Sequence, residues 1–472
     1  MTGMNENPLD ILPEILLAAA AVLGLLLGSW LPRNRQWVIA VLAAAAAFGG
    51  IAAAAVAATA PPTTAFGAAF AVDPVTATSR IVILGSTLIV LGLAVGPLRA
   101  DPRESEFYVL VQLASLGALM LAGAQDLLLL AAGYLLASIP AYTLAGFRKD
   151  GPGTEAALKY YVVGALLGVV MLTGITLLYA AGRGTAYPML STELRTAPGI
   201  LLTVGTIGLL AGIAFKAGAV PAHFWVPDAV QGSTPPVAAL LTTLPKIGAL
   251  AALYRLGAVL LSASMPSWPA LIAVLAAASM TLGNLAAFFQ RDVKRLLAYS
   301  TVSQVGYLLM PVAVAGRSDL AQQALLYYLA AYAVTNLGAF AVVAALPQAR
   351  NLADYRGLSR QRPLLAASLV ICLLGLVGTP PTAVFVAKLQ AFSAVLDADY
   401  AWLAVLAAVN TVASLYYYLR WIVPTMSRAE GPRSYGGDRR SRIVAYTTTA
   451  TSLVLGLAAG PVLAVLDGRL AR

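Results

Sequence analysis

Long apolar runs separated by short polar segments fill nearly the whole chain. A helix that crosses a bilayer needs about 20 apolar residues, and these runs predict about fourteen passages of that kind. They extend from Ile11 to Leu31, Trp37 to Ala58, Thr78 to Gly96, Phe107 to Gly123, and Leu127 to Phe147. Next come Ala157 to Ala181, Gly199 to Val230, Pro236 to Leu261, Pro269 to Phe289, and Val293 to Ala315. The last four run from Ala321 to Leu346, Leu364 to Leu396, Ala401 to Met426, and Arg442 to Leu466. The fourth and fifth nearly touch, so a tight turn at Ala124-Gln125-Asp126 must part them. The predicted class is an all-α polytopic membrane protein.

Two passages carry breaks. Pro221 and Pro227 interrupt the seventh, and Gly378-Thr379-Pro380-Pro381 interrupts the twelfth. Proline removes a backbone donor and frees a carbonyl. Within hydrocarbon such groups are tolerated only against protein or a hydrated cavity. Pro245 predicts a further kink in the eighth passage. Each break lies within a few residues of a lysine, and paired interruptions in two halves of a chain point to a transporter with internal repeats.

The basic residues separate by type. There are six lysines and twenty-four arginines. Arginine supplies nearly all the loop charge, whereas Lys216, Lys246 and Lys388 fall well inside apolar passages. A charge at the bilayer centre costs roughly 2.5–3.5 kcal/mol on insertion scales. Arginine effectively never releases its proton, while a buried lysine readily does. The three lysines are therefore candidate proton-handling groups. Lys149, Lys159 and Lys294 lie near helix ends, where the ammonium commonly snorkels to the interface. His223 is the only histidine and is equally compatible with packing or with a proton relay. Asp228 fits a helix cap or a cytoplasmic proton entrance.

Charge along the chain sets orientation. With the N-terminus outside, one set of loops holds Arg33, Arg35, Arg99, Arg103, Arg148, Lys149, Arg291, Arg350, Arg356, Arg360, Arg362, Arg428, Arg433, Arg439 and Arg440. The opposite set holds Arg80, Arg183, Arg195, Arg317, Arg469 and Arg472, with Arg255 near a helix end. The lysine/arginine excess marks the cytoplasmic side, so both termini are expected on the outer face of a plasma membrane. Residues Met1 to Asp10 lack a basic segment and carry Glu6 and Asp10, which predicts a retained first helix rather than a cleaved signal.

Composition agrees and excludes other classes. Sixty per cent of residues are apolar and 11% charged, against about 25% charged in soluble domains. Mean hydropathy is +0.82. The net charge of +10 reflects topology, not nucleic-acid binding. One cysteine, Cys372, permits no internal disulfide. One histidine and one cysteine leave no basis for a zinc, haem or iron–sulfur site.

Several motifs together carry a family resemblance. Phe215-Lys216, Pro221-Ala222-His223-Phe224-Trp225-Val226-Pro227-Asp228 and Gly232-Ser233-Thr234-Pro235-Pro236 form the first. Gly283-Asn284-Leu285, Gln290 to Ser300 and Ser303-Gln304-Val305-Gly306-Tyr307 form the second. Gly378 to Pro381 with Phe385 and Lys388, and Ser414 to Arg420 with Leu12-Pro13-Glu14, complete it. The sequence resembles the antiporter-like membrane subunits of respiratory complex I over nearly its whole length.

That resemblance implies fourteen helices, with an inverted repeat pairing helices four to eight (101–262) with nine to thirteen (263–426). Three helices precede the repeats (1–100), and a basic loop and a last helix follow (427–472). It implies proton translocation through a buried lysine and water relay, coupled to quinone reduction in partner membrane-arm and peripheral subunits. NADH, flavin, iron–sulfur clusters and quinone would be held by those partners, and no cofactor or metal by this chain. Lys216, Lys246 and Lys388 resemble the family's lysines of helices seven, eight and twelve. Lys294 resembles a basic residue opening helix ten, and Glu155 and Lys159 resemble polar residues entering helix six.

Two departures stand out. Leu135 occupies the helix-five position where the family has a glutamate paired with the helix-seven lysine. Gln304 stands where histidine is frequent, and glutamine cannot carry a proton by titrating. Two alternatives therefore stay open. One is a subunit of a multi-chain cation/proton antiporter. The other is a structural membrane-arm subunit whose pumping is weakened.

Overall fold

A computed structural model describes residues 7–99, 101–428 and 438–471. The basic loop expected from Ser427 to Ser441, with Arg433, lies largely outside the described residues. Among the described residues, twelve helices are long and apolar enough to span a membrane, or thirteen if one bent pair is a single span. Before the first break come α1 (Leu12–Trp30), α2 (Trp37–Ala57), α3 (Pro74–Leu98), α4 (Glu104–Gly123), α5 (Leu127–Ala145), α6 (Gly151–Gly182) and α7 (Gly199–Ala217). After it come α8 (Trp225–Gly232), α9 (Pro235–Arg255), α10 (Trp268–Ala287), α11 (Val293–Ala313) and α12 (Leu320–Ala345). The chain then forms α13 (Pro363–Val377), α14 (Ala383–Asp397), α15 (Ala401–Met426), α16 (Arg439–Leu457) and α17 (Ala459–Leu466).

The expected tight turn between the fourth and fifth passages is present, and Asp126 caps α5 by accepting from the Leu128 and Leu129 amides. The seventh passage divides into α7 and α8, and the twelfth into the short helices α13 and α14. Other expectations need correction. The last passage is not one straight helix, because α16 and α17 meet at 80°. Pro245 does not break α9, which runs unbroken from Pro235 to Arg255. Every residue from Pro236 to Arg255 is buried, so neighbouring helices enclose the backbone that proline perturbs. Pro227 lies in the first turn of α8, where a missing amide costs nothing. The break itself runs from Gly218 to Phe224. The loop marked by Pro61-Pro62 leads into a two-stranded hairpin, Thr63–Ala65 paired with Phe70–Val72.

Helix α9 is the axis of the molecule and packs on α3, α4, α7, α8, α11 and α12. Around it, two parts of the chain repeat one construction. A side chain on Gly117 in α4 would meet the backbone nitrogen of Ala137 in α5 at 2.1 Å. A side chain on Gly283 in α10 would meet the backbone nitrogen of Ser303 in α11 at 2.5 Å. Both pairs have the same sequence spacing, and small residues at these crossings let helix backbones approach closely.

Two buried ion pairs fasten the first helices. The Arg80 guanidinium grips the Glu14 carboxylate at 2.9 and 2.8 Å and donates to the Asp10 carbonyl at 2.8 Å. Arg255, at the end of α9, grips Asp73 at 2.6 and 2.9 Å and reaches Thr76 at 2.9 Å. The Ala471 amide also donates to Asp73, at 3.1 Å. The described ends of the chain thus meet on one face. Both arginines were counted above as outer charges, yet each is fully buried and neutralised by a carboxylate.

Removing one partner of such a pair leaves an uncompensated charge and costs about 3–5 kcal/mol. Arg255→Met is therefore expected to lower the thermal stability of the assembled complex sharply, whereas Arg255→Met with Asp73→Leu restores much of it. Differential scanning of the purified complex reads both, and equal loss in the single and double variants would contradict the pairing.

Candidate functional site

A broken helix ends with carbonyls that have no partner in its own next turn. Helix α7 ends at Gly218, whose φ of +72° is a left-handed stop that favours glycine. The Ala219 amide donates to the Ala214 carbonyl at 2.9 Å. The Trp225 indole N–H donates to the Phe215 carbonyl at 2.9 Å. The Lys246 Nζ, reaching from α9, donates to the Ala217 carbonyl at 2.6 Å. One side-chain cation thus closes the last carbonyl of the first half-helix.

Lys216 lies in the same last turn, 1% exposed. Its Nζ donates to the Ser138 hydroxyl of α5 and lies 5.0 Å from the centre of the Tyr134 ring. Those two residues are one turn apart on α5. Leu135, at the expected glutamate position, is turned outward and 45% exposed. The oxygen that meets Lys216 is therefore neutral and comes from the neighbouring face of the helix.

The second break has the same plan. Helix α13 ends at Gly378, again left-handed at φ +91°. The Gly378 and Thr379 amides donate to the Leu374 carbonyl. The Gln304 side-chain amide donates to the Leu376 carbonyl at 2.8 Å. The Lys388 Nζ, from α14, donates to the Val377 carbonyl at 2.9 Å and to the Thr411 hydroxyl at 3.1 Å. It also sits 3.9 Å from the centre of the Tyr307 ring. Gln304 on α11 holds the place that Ser138 holds on α5, each facing the residue two before its break. Glutamine supplies what that place needs, a donor for the Leu376 carbonyl and an acceptor for the Tyr328 hydroxyl at 2.9 Å.

None of the ion pairs among the described residues involves Lys216, Lys246 or Lys388. Each ammonium meets a neutral oxygen and an aromatic face, with Trp225 5.8 Å from Lys246. A helix C-terminus carries a partial negative charge of roughly half an elementary unit, and cation–π contact adds to it. These two sources stand in for a carboxylate.

Buried hydroxyls lie between the two breaks in separate hydrogen-bonded clusters. Thr242 lies one turn before Lys246 on α9. The Tyr332 hydroxyl lies 2.7 Å from the Thr242 carbonyl and 3.1 Å from the Thr301 hydroxyl. The Asn336 amide donates to the Thr242 and Thr243 hydroxyls at 3.0 Å. From Thr301, successive turns of α11 present Gln304 and Tyr307, and the Thr411 hydroxyl bonds Tyr307 at 3.0 Å. Thr411 in turn meets Lys388. Sequence reading missed these hydroxyls, along with Ser138 and Tyr134. The available signal was the run of polar side chains, Thr301, Ser303, Gln304 and Tyr307, inside one apolar passage.

The remaining candidates other than His223 form a separate, charged mouth. Lys159 pairs with Glu155 at 2.7 Å and with Asp228 at 3.1 Å. Asp228 also pairs with Arg295 at 2.6 Å. It sits in the first turn of α8, but Phe224 holds the cap position. Lys294 does not simply snorkel, because its Nζ donates to the Gln231 and Ser233 carbonyls at 2.6 Å each. It closes the end of α8 as Lys246 closes α7. Glu155, Lys159, Asp228 and Lys294 line one cavity of about 480 Å³. His223 lies in the first break, its ring 4.5 Å from that of Phe224, and is not part of this mouth.

Comparison with known proteins places this construction. Residues 124–414 match the family described as NADH:quinone oxidoreductase/Mrp antiporter, TM. The chain is 51% identical over 462 residues to NADH-quinone oxidoreductase subunit N of Mycobacterium sp. (strain JLS), covering 97% of each. It is 53% identical over 466 residues to NADH-quinone oxidoreductase subunit N 1 of Streptomyces griseus, covering 98% of each. A chain in the structure of respiratory complex I from Thermus thermophilus superposes with a TM-score of 0.84 at 34% identity, covering 96% of this chain and 99% of that one. The chain therefore belongs to the subunit N family of the antiporter-like membrane arm of bacterial NADH–quinone oxidoreductase.

Proposed function

We propose that this subunit carries protons through the membrane arm along the line Lys216, Lys246, Thr242, Tyr332, Thr301, Gln304, Tyr307, Thr411 and Lys388, with internal water filling the gaps. The observation that carries this reading is the neutral setting of each buried lysine. A carboxylate partner would hold the ammonium charged. A carbonyl or hydroxyl accepts from the ammonium and equally from the neutral amine, so proton loss weakens the contact without orphaning it. Charge-assisted hydrogen bonds are roughly twice as strong as neutral ones, so each contact is firmer with the lysine protonated and persists when it is not.

The charged mouth supports a role as the proton entrance, with Asp228, Lys159 and Glu155 exchanging protons with water and His223 beyond them. The two half-helix breaks support a pair of repeats, 101–262 and 263–426, in opposite orientation. The meeting of Asp10, Asp73 and Ala471 on one face supports both termini lying on one side, which the arginine bias makes the outer one. Flavin, iron–sulfur clusters and quinone belong, on this reading, to the other subunits.

Replacement of Lys246 separates a structural role from a proton-carrying one. Lys246→Met removes both, and leaving the Ala217 carbonyl unpaired costs about 1–3 kcal/mol. Lys246→Arg keeps a charged donor but cannot release its proton. In reconstituted vesicles, both variants are expected to lower the proton-to-electron ratio and to slow coupled turnover about tenfold or more, and Arg alone retains normal assembly. An arginine variant with an unchanged ratio would contradict the reading and favour a scaffold.

The second break gives an independent check. Gln304→Leu orphans the Leu376 carbonyl and is expected to cost about 1–3 kcal/mol together with turnover. Gln304→His keeps a ring N–H for that carbonyl and is expected to retain most of both, as read by melting temperature and NADH-driven pumping. Equal losses in the two variants would show that the donor is not what matters.

A further inference from the structure

Away from the lysine line, a groove of about 990 Å³ opens between α2 and α3 on the outside of the molecule. We propose that it binds one anionic phospholipid from the leaflet on the arginine-rich face. Its lining on α2 is Trp37, Val41, Ala44 and Phe48, which recur every three or four residues along one side of the helix. On α3, Leu88, Leu91 and Val95 do the same, and Arg99 follows directly after its last residue. The two stripes run antiparallel, so Trp37 and Arg99 share one end and Phe48 and Leu88 the other.

The groove is polar at one end only. Arg33, Arg99 and Arg440 gather at the Trp37 end, brought from three separate helix termini. None of them enters an ion pair among the described residues. The acidic groups nearby are engaged elsewhere. Glu104 itself lines the arginine end of the groove, but it is buried and accepts from the Tyr108 hydroxyl at 2.9 Å. Asp438 accepts from the Ser441 amide and hydroxyl at 2.9 Å. The apolar stripe beyond them, Trp37 to Phe48 on α2, rises through eleven residue steps, about 16 Å at 1.5 Å each. That is about half of a hydrocarbon core of roughly 30 Å, the depth of one leaflet.

Length, polarity and position therefore match one molecule, with a phosphate among the arginines and an acyl chain along the stripe. Tryptophan is favoured at the headgroup level, and Trp37 is half-exposed there. Basic pockets between helices on the cytoplasmic side recognise anionic headgroups, at about 1 kcal/mol per basic residue, or about fivefold in affinity. A partner subunit's helix would bury the apolar stripe but has no reason to bring anionic charge to its end.

The test uses the intact complex with a benzophenone side chain at Val41 or, more conservatively, at Phe48. It is reconstituted in vesicles of equal phosphatidylglycerol and phosphatidylethanolamine and then irradiated. Adducts with phosphatidylglycerol are expected to exceed those with phosphatidylethanolamine about tenfold or more. Arg33→Gln and Arg99→Gln each reduce that excess about fivefold, and Ala44→Phe, which fills the groove, reduces all lipid adducts. Equal labelling of the two lipids, or labelling chiefly of another subunit, overturns the proposal.

Discussion

A carbonyl left bare inside hydrocarbon is the constraint around which this structure is arranged. Breaking a transmembrane helix creates several, and none can be left to the lipid. Here the last carbonyl before each break is met by a lysine, Lys246 on Ala217 and Lys388 on Val377. A third lysine, Lys294, does the same at the end of α8. The broken helix and the buried cation each solve the other's problem. The helix end supplies partial negative charge, and the ammonium supplies the missing donors. Neither feature would be stable alone, which explains why they recur together.

The same pairing bears on Leu135, the position where the family resemblance leads one to expect a glutamate. On that expectation alone, Lys216 would lack its counter-charge and the subunit would read as decayed. In the structure, Lys216 is met by Ser138 and the Tyr134 ring, while Leu135 faces outward. The lysine is accommodated without a carboxylate. The proposed path thus depends on neutral oxygens throughout, and Gln304, which cannot titrate, fits it as a fixed donor and acceptor.

Much of the fold was legible because hydrocarbon imposes a length and a composition on every crossing. The breaks were legible because Gly378, Pro221 and Pro381 are strong local punctuation. The three central lysines were legible because a charge in an apolar run has few explanations. Other features depend on contacts between passages distant in sequence. Arg80 and Arg255 read as loop charges until Glu14 and Asp73 are seen beside them. Pro245 reads as a break, but α9 runs on past it, buried along its length. The hydroxyl clusters of Tyr332, Thr301 and Thr411 have no motif, since single hydroxyls are common in apolar helices and only their placement matters. The bend between α16 and α17 has a local signal, Gly460-Pro461 in the first turn after the corner, that the long apolar run masks.

The central claim is that the carbonyl-bound lysines exchange protons during turnover rather than staying permanently charged. Infrared difference spectra of the complex, recorded on NADH addition with ζ-¹⁵N-lysine labelling, follow the ammonium bending band directly, and Lys246→Met and Lys388→Met assign its components. The account predicts a turnover-dependent loss of ammonium signal that is reduced in each variant. An ammonium band that stays constant through turnover, alike in the native complex and both variants, would contradict it.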